Sequence, residues 1–412
     1  MASINLLSNP SRVETPFIEV QIGKHKFGVR TDAKNIIFPN YIRSLQISKI
    51  NGTVNSYTIT IDYPITSKDN DPNFFEKVFA SVADTRLIYI TYGDLSTPTY
   101  VYRKEQALIT NIKQQFSMSS VISYVISAQS SAILSTVGNF SFDAYANERP
   151  SNVIRDLLYK YNEKYGLLQL FPGMRNRTKV ENAGLLPTDD LPISIEAKVN
   201  TSVFDYLAYL VSLMRTSRDV KDTLIKSSLF TFIVVDDLSG DFDGVYFKIV
   251  SMNKDLSYSP KINTYTVDIG YPSANVVTSF SVDSNEVYSM LYKYNEDIST
   301  SSYTERIDDN GKLVQVYSPT IGTSKEKFVT TESQKTWWTK VTEFPITATL
   351  TLKGLLRPAI LMSYVRLNVL FYGRKHISSG LYIITKQYDT IDTGGYRTTL
   401  SLTRIGEDDE FI

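Results

Sequence analysis

Two segments near opposite ends of the chain echo each other, and a chain that repeats a strand series in order is constrained to build the same sheet twice. Arg86-Leu-Ile-Tyr-Ile-Thr-Tyr-Gly93 is answered by Arg366-Leu-Asn-Val-Leu-Phe-Tyr-Gly373. A second strand pattern follows each, Ala107 to Gln115 and Leu381 to Tyr388, and both contain Lys-Gln (Lys113-Gln114 and Lys386-Gln387). A third then returns, Ser120 to Gln129 and Tyr396 to Arg404. Upstream, Tyr57-Thr-Ile-Thr-Ile-Asp-Tyr63 is matched by Ile346-Thr-Ala-Thr-Leu-Thr-Leu352. One octapeptide of common residues says little. Four strand patterns in the same order predict one β-unit used twice, and a repeated unit bears on the symmetry of any assembly.

At 412 residues the chain is long enough for two to four domains. Its 43 basic and 43 acidic residues cancel, which argues against a dedicated nucleic-acid binder. No run approaches the ~18 consecutive apolar residues of a membrane span. The segment Met1 to Pro10 lacks the basic start and apolar stretch of a signal peptide, so synthesis and assembly in a cytoplasm are expected. There is no cysteine, which removes disulfides, thiolate zinc sites and cysteine nucleophiles. Two histidines, His25 and His376, are a poor inventory for hydrolytic triads or transition-metal sites.

Along the chain, Pro16 to Val29 reads as a hairpin turning at Gly23-Lys24. Tyr41 to Tyr63 reads as a second, with Asn51-Gly52 expected in a type I′ turn. Asp71-Pro72 opens a short helix whose Phe75, Val78, Phe79 and Val82 share a face. This first region is expected to form a β-barrel or sandwich with one helix packed on it. Arg149-Pro150-Ser151 opens a helix through Tyr165, with Val153, Ile154, Leu157, Leu158 and Tyr161 as its buried stripe. Thr201-Ser202 caps another, with Phe204, Leu207, Leu210, Val211 and Met214 inward and Asp205 completing a capping box. Strands are expected over 229–235, 245–250 and 262–271, so the middle of the chain reads as α+β. The boundaries predicted are a β-domain over 1–135, an α+β domain over 136–296, a polar arm over 297–340 and a second β-domain over 341–412.

Each candidate site has a plainer reading beside it. Asp236, Asp237, Asp241 and Asp243 surround two glycines, but the spacing misses the EF-hand pattern, and a polar hairpin loop is expected. His25, between Lys24 and Lys26, is expected to be solvated, and neither it nor His376 has an acid and a nucleophile in a catalytic arrangement. Arg175, Arg177 and Lys179 form a modest basic cluster, read as a solvated loop. Trp337-Trp338 reads equally as a subunit-interface anchor or as a cap over the end of the second β-domain. Tyr92-Gly93 and Tyr372-Gly373 are read as strand ends, with glycine in an unusual conformation and tyrosine at the rim. No catalytic, cofactor-binding or metal-binding residue is assigned, and no enzyme activity is expected.

The chain resembles the baseplate hub proteins of bacteriophage tails. The resemblance is carried by the duplicated β-unit around an α+β insertion, by Ser378 to Gln387 with Gly394 to Arg404, and by Ser273 to Asp283. It implies a mainly β fold with an α+β middle domain, in which two tail-tube-like β-barrel or sandwich domains bracket the insertion. It also implies a homotrimer in which each chain supplies two tube-like units, so that three chains form a pseudo-sixfold ring. Such a ring would join a sixfold tail tube to a threefold spike or tip, contact other baseplate proteins in the virion, and let DNA pass through its lumen. Two rivals stand beside it. One is a receptor- or glycan-binding tail protein using Tyr-rich loops. The other is a tail-associated peptidoglycan hydrolase, which would need a pair of carboxylates in a cleft.

Overall fold

The computed structural model of the chain describes residues 11–12, 15–28, 41–65, 71–94, 101–117, 120–165, 168–170, 190, 192–214, 230–236, 245–251, 263–269, 277–284, 303–307, 313–317, 346–353, 355–356 and 361–406. Structural statements below concern these residues.

The N-terminal part holds β1 (Ser11–Arg12), β2 (Pro16–Ile22), β3 (His25–Gly28), β4 (Ile42–Ile50), β5 (Ser56–Pro64), α1 (Phe74–Ala80), β6 (Leu87–Asp94), β7 (Val101–Ser117) and β8 (Val121–Gln129). The middle holds β9 (Phe140–Phe142), β10 (Tyr145–Glu148), α2 (Pro150–Tyr165), β11 (Gln169–Leu170), β12 (Ile193–Ile195), β13 (Lys198–Thr201), α3 (Val203–Leu213), β14 (Phe230–Val235) and β15 (Tyr246–Ser251). The C-terminal part holds β16 (Asn263–Ile269), β17 (Val277–Ser284), β18 (Tyr303–Ile307), β19 (Leu313–Tyr317), β20 (Ile346–Lys353), β21 (Leu355–Leu356), β22 (Tyr364–Phe371), β23 (Arg374–Lys375), β24 (Gly380–Asp392) and β25 (Gly395–Gly406).

The strands form because Ile, Val, Thr and Tyr alternate with a period of two, which gives each strand one buried and one polar face. β5 and β8 show it cleanly: every second residue is buried along the length of each. These strands join a 14-stranded sheet whose main path runs β17-β20-β25-β24-β4-β5-β8-β7-β6-β2-β3, with β22 also on β24 and β16 on β22. The path has two ends among the described strands. The fold is therefore mainly β, as expected, and the described strands form a continuous open sheet where the sequence suggested two β-barrel or sandwich domains. The reason lies in β24: beyond Ile384 it leaves β22 and pairs with β4, so the second unit opens onto the first instead of curling onto itself.

The duplication is present in this sheet and is deeper than the echo that suggested it. β4-β5-β8-β7-β6 and β17-β20-β25-β24-β22 are five strands in the same chain order and the same spatial order, with every pairing antiparallel. Bulges recur at the same places: between Ile42 and Ser44 in β4 and between Val277 and Ser279 in β17, then between Ile109 and Asn111 in β7 and between Ile384 and Lys386 in β24. The bulged residue in β7 and β24 is a threonine in both cases. Thr110 donates to the Ser127 carbonyl at 3.1 Å and Thr385 to the Ser401 carbonyl at 3.2 Å.

These bulges set the true register. Ser127 corresponds to Ser401, so Thr58-Ile59-Thr60-Ile61 matches Thr349-Leu350-Thr351-Leu352, two residues away from the alignment read in the sequence. Leu87 corresponds to Tyr364, and Ile109 donates to the Arg86 carbonyl as Ile384 does to that of Ser363. Arg86 therefore matches Ser363, not Arg366, and the Arg-Leu echo is three residues out. Nor do Lys113-Gln114 and Lys386-Gln387 correspond, because Lys386 matches Asn111.

Two turns also differ from expectation. Thr53 donates to the Ile50 carbonyl, and of Asn51 and Gly52 only Gly52 has positive φ (73°). That is the glycine position of a type II turn, not the type I′ turn expected. The type I′ signature falls instead on Tyr372-Gly373, with φ of 51° and 78°, between the paired Phe371 and Arg374.

The middle segment packs α2 and α3 on the three-stranded sheet β11-β15-β14. Val153, Ile154, Leu158 and Tyr161 of α2 and Phe204, Leu207, Leu210, Val211 and Met214 of α3 are buried there, as their helical spacing predicts. Ser202 caps α3 by accepting from the Asp205 amide at 3.0 Å, and its hydroxyl donates to the Asp205 carboxylate at 2.6 Å. The strand expected over 262–271 is β16, which pairs in parallel with β22 in the large sheet. β18 and β19 form an antiparallel hairpin within the expected polar arm. The rest of that arm, residues 171–189 and residues 407–412 lie outside the described residues.

Candidate functional site

The two repeats join where Lys386 to Ile391 of β24 pair with Leu45 to Ile50 of β4. Directly beneath this joint lies a cluster of charged and phenolic side chains. Lys49 reaches Glu105 of β7 at 2.6 Å and lies 3.8 Å from Asp236, the residue after β14. Glu105 accepts from the Tyr92 hydroxyl at 2.8 Å. The Tyr57 hydroxyl lies 2.5 Å from Glu105 and 2.6 Å from Asp236, and Asn55 donates to Asp236 at 2.9 Å. On the other repeat, Asp389 accepts from Gln387 at 2.7 Å, Tyr396 at 3.0 Å and Thr398 at 2.5 Å. All these groups are buried, with Glu105 and Asp389 wholly inaccessible.

Each component comes from a different part of the chain: the first repeat gives Lys49, Tyr57 and Glu105, the second gives Asp389, and the α+β segment gives Asp236. The β4–β5 turn adds backbone ties to both neighbours. Asn51 donates to the Thr385 carbonyl at 3.1 Å and Gly52 to the Phe232 carbonyl at 2.8 Å. A buried, hydrogen-bonded set of this kind fixes one relative placement of three units, since any slip leaves a charge unpaired.

Burial raises the titration of Asp236 to about 6, against the opposing pull of the Lys49 cation. Burial also carries the Tyr57 and Tyr92 phenols well above their usual value, helped by the nearby carboxylates. One hydroxyl proton on Tyr57 can serve only one of its two acid neighbours, so both short contacts are satisfied only when one of the two carboxyls holds a proton, and burial favours a proton on Asp236. The sign of the pH effect follows. The folded state binds this proton more tightly than the unfolded chain, so its stabilising contribution is present in acid and is lost as pH rises from about 4 through about 6. Asp236→Asn is expected to flatten that part of the stability–pH profile, by roughly 1.4 kcal/mol between pH 5 and 7.5. Denaturant titrations of both proteins at the two pH values measure it, and parallel profiles would refute it.

The face of the same sheet directed away from these cores is rich in hydroxyl and amide groups. Gln46, Thr58, Thr60, Ser123 and Ser127 of the first repeat alternate with buried residues, as do Thr349 and Ser401 of the second. This face is polar and also carries charges of both signs, among them Arg43, Asp62, Lys113, Asp283, Lys386 and Arg397.

The residues singled out in the sequence are not brought together. Asp236 is buried in the junction, while Asp237, Asp241 and Asp243 lie outside the described residues, as do Arg175, Arg177, Lys179, Trp337 and Trp338. His25 is half-buried rather than solvated, because its ring lies 6.4 Å from Phe27 and 6.0 Å from Phe74. These rings border a pocket of about 390 Å³ that also touches Lys24, Tyr41 and Tyr63. The His376 ring contacts the Ser378 hydroxyl at 2.6 Å and organises the turn before β24. Tyr92 is not at a rim: it is fully buried, Gly93 continues its strand, and Tyr372 is exposed on its turn. Among the described residues, no group of three or more His, Asp or Glu side chains could hold a metal ion, and no helix is long and apolar enough to cross a membrane.

The junction residues were missed in the sequence, although a signal was there. Lys49 follows Leu45 and Ile47, Glu105 precedes Ala107 and Ile109, and Asp389 precedes Ile391, all at the two-residue period of the buried face. A charge at an inward position of a strand demands a partner.

No family model matches this chain, and no curated protein matches it. Solved structures do. The chain is similar to a tail protein from Neisseria meningitidis MC58, with 10% identity and a TM-score of 0.50 over 95% of this chain and 97% of that one. It is equally similar to the 43 kDa tail protein of prophage MuSo2 from Shewanella oneidensis, with 9% identity and a TM-score of 0.50 over 95% and 98% of the two chains. At such identities the likeness is one of fold, and it extends along nearly the whole chain.

Proposed function

We propose that this chain is a structural hub of a phage-type tail baseplate. Three copies form a ring of six similar sheet repeats, which joins a sixfold tail tube to a threefold spike and leaves a lumen for DNA. The observation that carries this reading is the pair of five-strand repeats set side by side in one sheet, with the second opening directly onto the first. A chain with two similar but unequal repeats reconciles sixfold and threefold partners without six identical subunits. The fold shared with two bacterial and prophage tail proteins supports it. So does the Ser/Thr-rich, mixed-charge face of the sheet, which would line a lumen without holding phosphates tightly, since cations such as Arg43 and Arg397 are paired with Asp62 and Asp392.

The acids of the junction serve structure rather than catalysis in this reading, because they are sealed from solvent and from any substrate. The α+β segment would face neighbouring baseplate proteins, and the place of action would be the virion. The test is the mass of the purified chain in solution together with electron micrographs of it. A trimeric ring with a central opening, able to bind a tail-tube ring, is expected. A strict monomer inert toward tube and spike proteins would sink the proposal.

A further inference from the structure

The internal repeat has a consequence at its two ends. Within the chain, β24 beyond its bulge adds to the edge of β4, and this joint holds the repeats together. The strand equivalent to β24 is β7, and the strand equivalent to β4 is β17. Among the described residues, no strand pairs with the edge of β7 from Asn111 to Phe116 that faces away from β8, nor with the edge of β17 that faces away from β20. The chain thus makes one joint internally and leaves both halves of a second such joint open.

Chemistry at those halves matches a joint. Within the chain, Ile391 lies opposite Leu45 and Asp389 opposite Ile47, and all four side chains are buried. The bulge positions carry this register across: Ile391 becomes Phe116, Leu45 becomes Phe280 and Ile47 becomes Val282. Phe116 is 75% exposed and Val282 40%, whereas Ile391 and Ile47 are 4% and 0% exposed. Large apolar groups therefore stand in water at the very positions that the internal joint covers. On the opposite face, the register sets Lys113 against Asp283, two exposed side chains of opposite charge.

We infer that β7 of one copy adds antiparallel to β17 of a second copy, with Phe116 opposite Phe280, Gln114 opposite Val282 and Lys113 opposite Asp283. The inference rests on the hub reading and deepens it by naming the subunit contact. Edge addition satisfies the open backbone groups of both strands, the cross-strand aromatic pair removes apolar surface from water, and the ion pair fixes the register. The contact is head-to-tail, with different surfaces on the two sides. Copies must therefore either close into a ring or continue as a filament.

The absence of cysteine from this chain makes the test direct. A Lys113→Cys/Asp283→Cys double variant of the full chain is oxidised with copper phenanthroline, then sized in solution and run on a non-reducing gel. A covalent species of three chains is expected. A Lys113→Cys/Val282→Cys control, whose side chains would leave opposite faces of the joint, should give none. Reversing one charge, as Lys113→Asp or Asp283→Lys, should weaken assembly several-fold, and combining both should restore it. A trimer in solution without cross-linking at 113 and 283 would overturn the strand pairing and leave the hub reading standing. Cross-linked chains that grow past three would uphold the pairing and overturn the closed ring. A monomer that neither assembles nor cross-links at its highest soluble concentration would overturn both.

Discussion

Lys49→Ala is expected to lower stability by about 3–5 kcal/mol, because it strands the Glu105 carboxylate in a site closed to water. Lys49 is 8% exposed and Glu105 is fully buried, with 2.6 Å between them. Asp236 loses its nearest cation in the same step, at 3.8 Å. The attraction between two buried charges is offset by the cost of drying them, so the intact pair adds little by itself. Breaking it exposes the uncompensated cost. Lys49→Met combined with Glu105→Leu should therefore recover part of the loss, since the Glu105 charge is no longer stranded, while Asp236 still lacks Lys49. Urea titrations of the three proteins decide the matter. A loss below about 1 kcal/mol for Lys49→Ala would mean that water reaches the junction. Because Lys49 lies on β4 at the joint with β24, the single variant should also loosen one repeat from the other, visible as faster amide exchange along Lys386 to Ile391.

Phe75→Ala is expected to cost a similar amount, about 3–5 kcal/mol, through loss of packing alone. Phe75 on α1 is fully buried at the centre of an aromatic group. Its ring lies 5.0 Å from Phe27 and Tyr124, 5.3 Å from Phe74 and 5.4 Å from Tyr63. Removing the ring leaves a cavity that these rigid neighbours cannot fill without leaving their rotamers. Phe74, next to it in sequence, is only half-buried, so Phe74→Ala should cost clearly less. Equal losses for the two variants would show that α1 does not anchor the first repeat as described. Among the described residues the helix is found in that repeat alone, where it follows β5. After β20 the chain instead meets β21 on its way to β22.

The alternating strands, the three helices and their buried faces were legible because each depends on neighbours in the chain. Leu45, Ile47, Ile59 and Ile61 declare an inward face by spacing alone, and all four are fully buried. The N-cap at Ser202 is a local bond and was read correctly, although the Asp205 carboxylate accepts from the Ser202 hydroxyl rather than from its backbone amide as in a full capping box. The alignment of the repeats was not legible. Strands slide past one another at a period of two with little penalty in residue type, and the bulges that set the register arise only when strands pair. For this reason Arg86 and Arg366 look alike in sequence yet occupy different positions. The turn at Asn51-Gly52 failed for a related reason. Its geometry answers to Thr385 and Phe232, which hold its amides from two other parts of the fold.

By itself, then, the sequence determined that this is a mainly β chain with a repeated strand series and an α+β segment between the copies. Those properties follow from side-chain periodicity, which no distant contact can alter. The tertiary structure alone decided that the two repeats share one sheet, that the bulges at Thr110 and Thr385 mark where β7 leaves β6 and where β24 exchanges β22 for β4, and that Lys49, Glu105, Asp389 and Asp236 meet beneath the joint. These depend on pairings between residues far apart in the chain, where burial and unpaired charge, not local preference, select the arrangement.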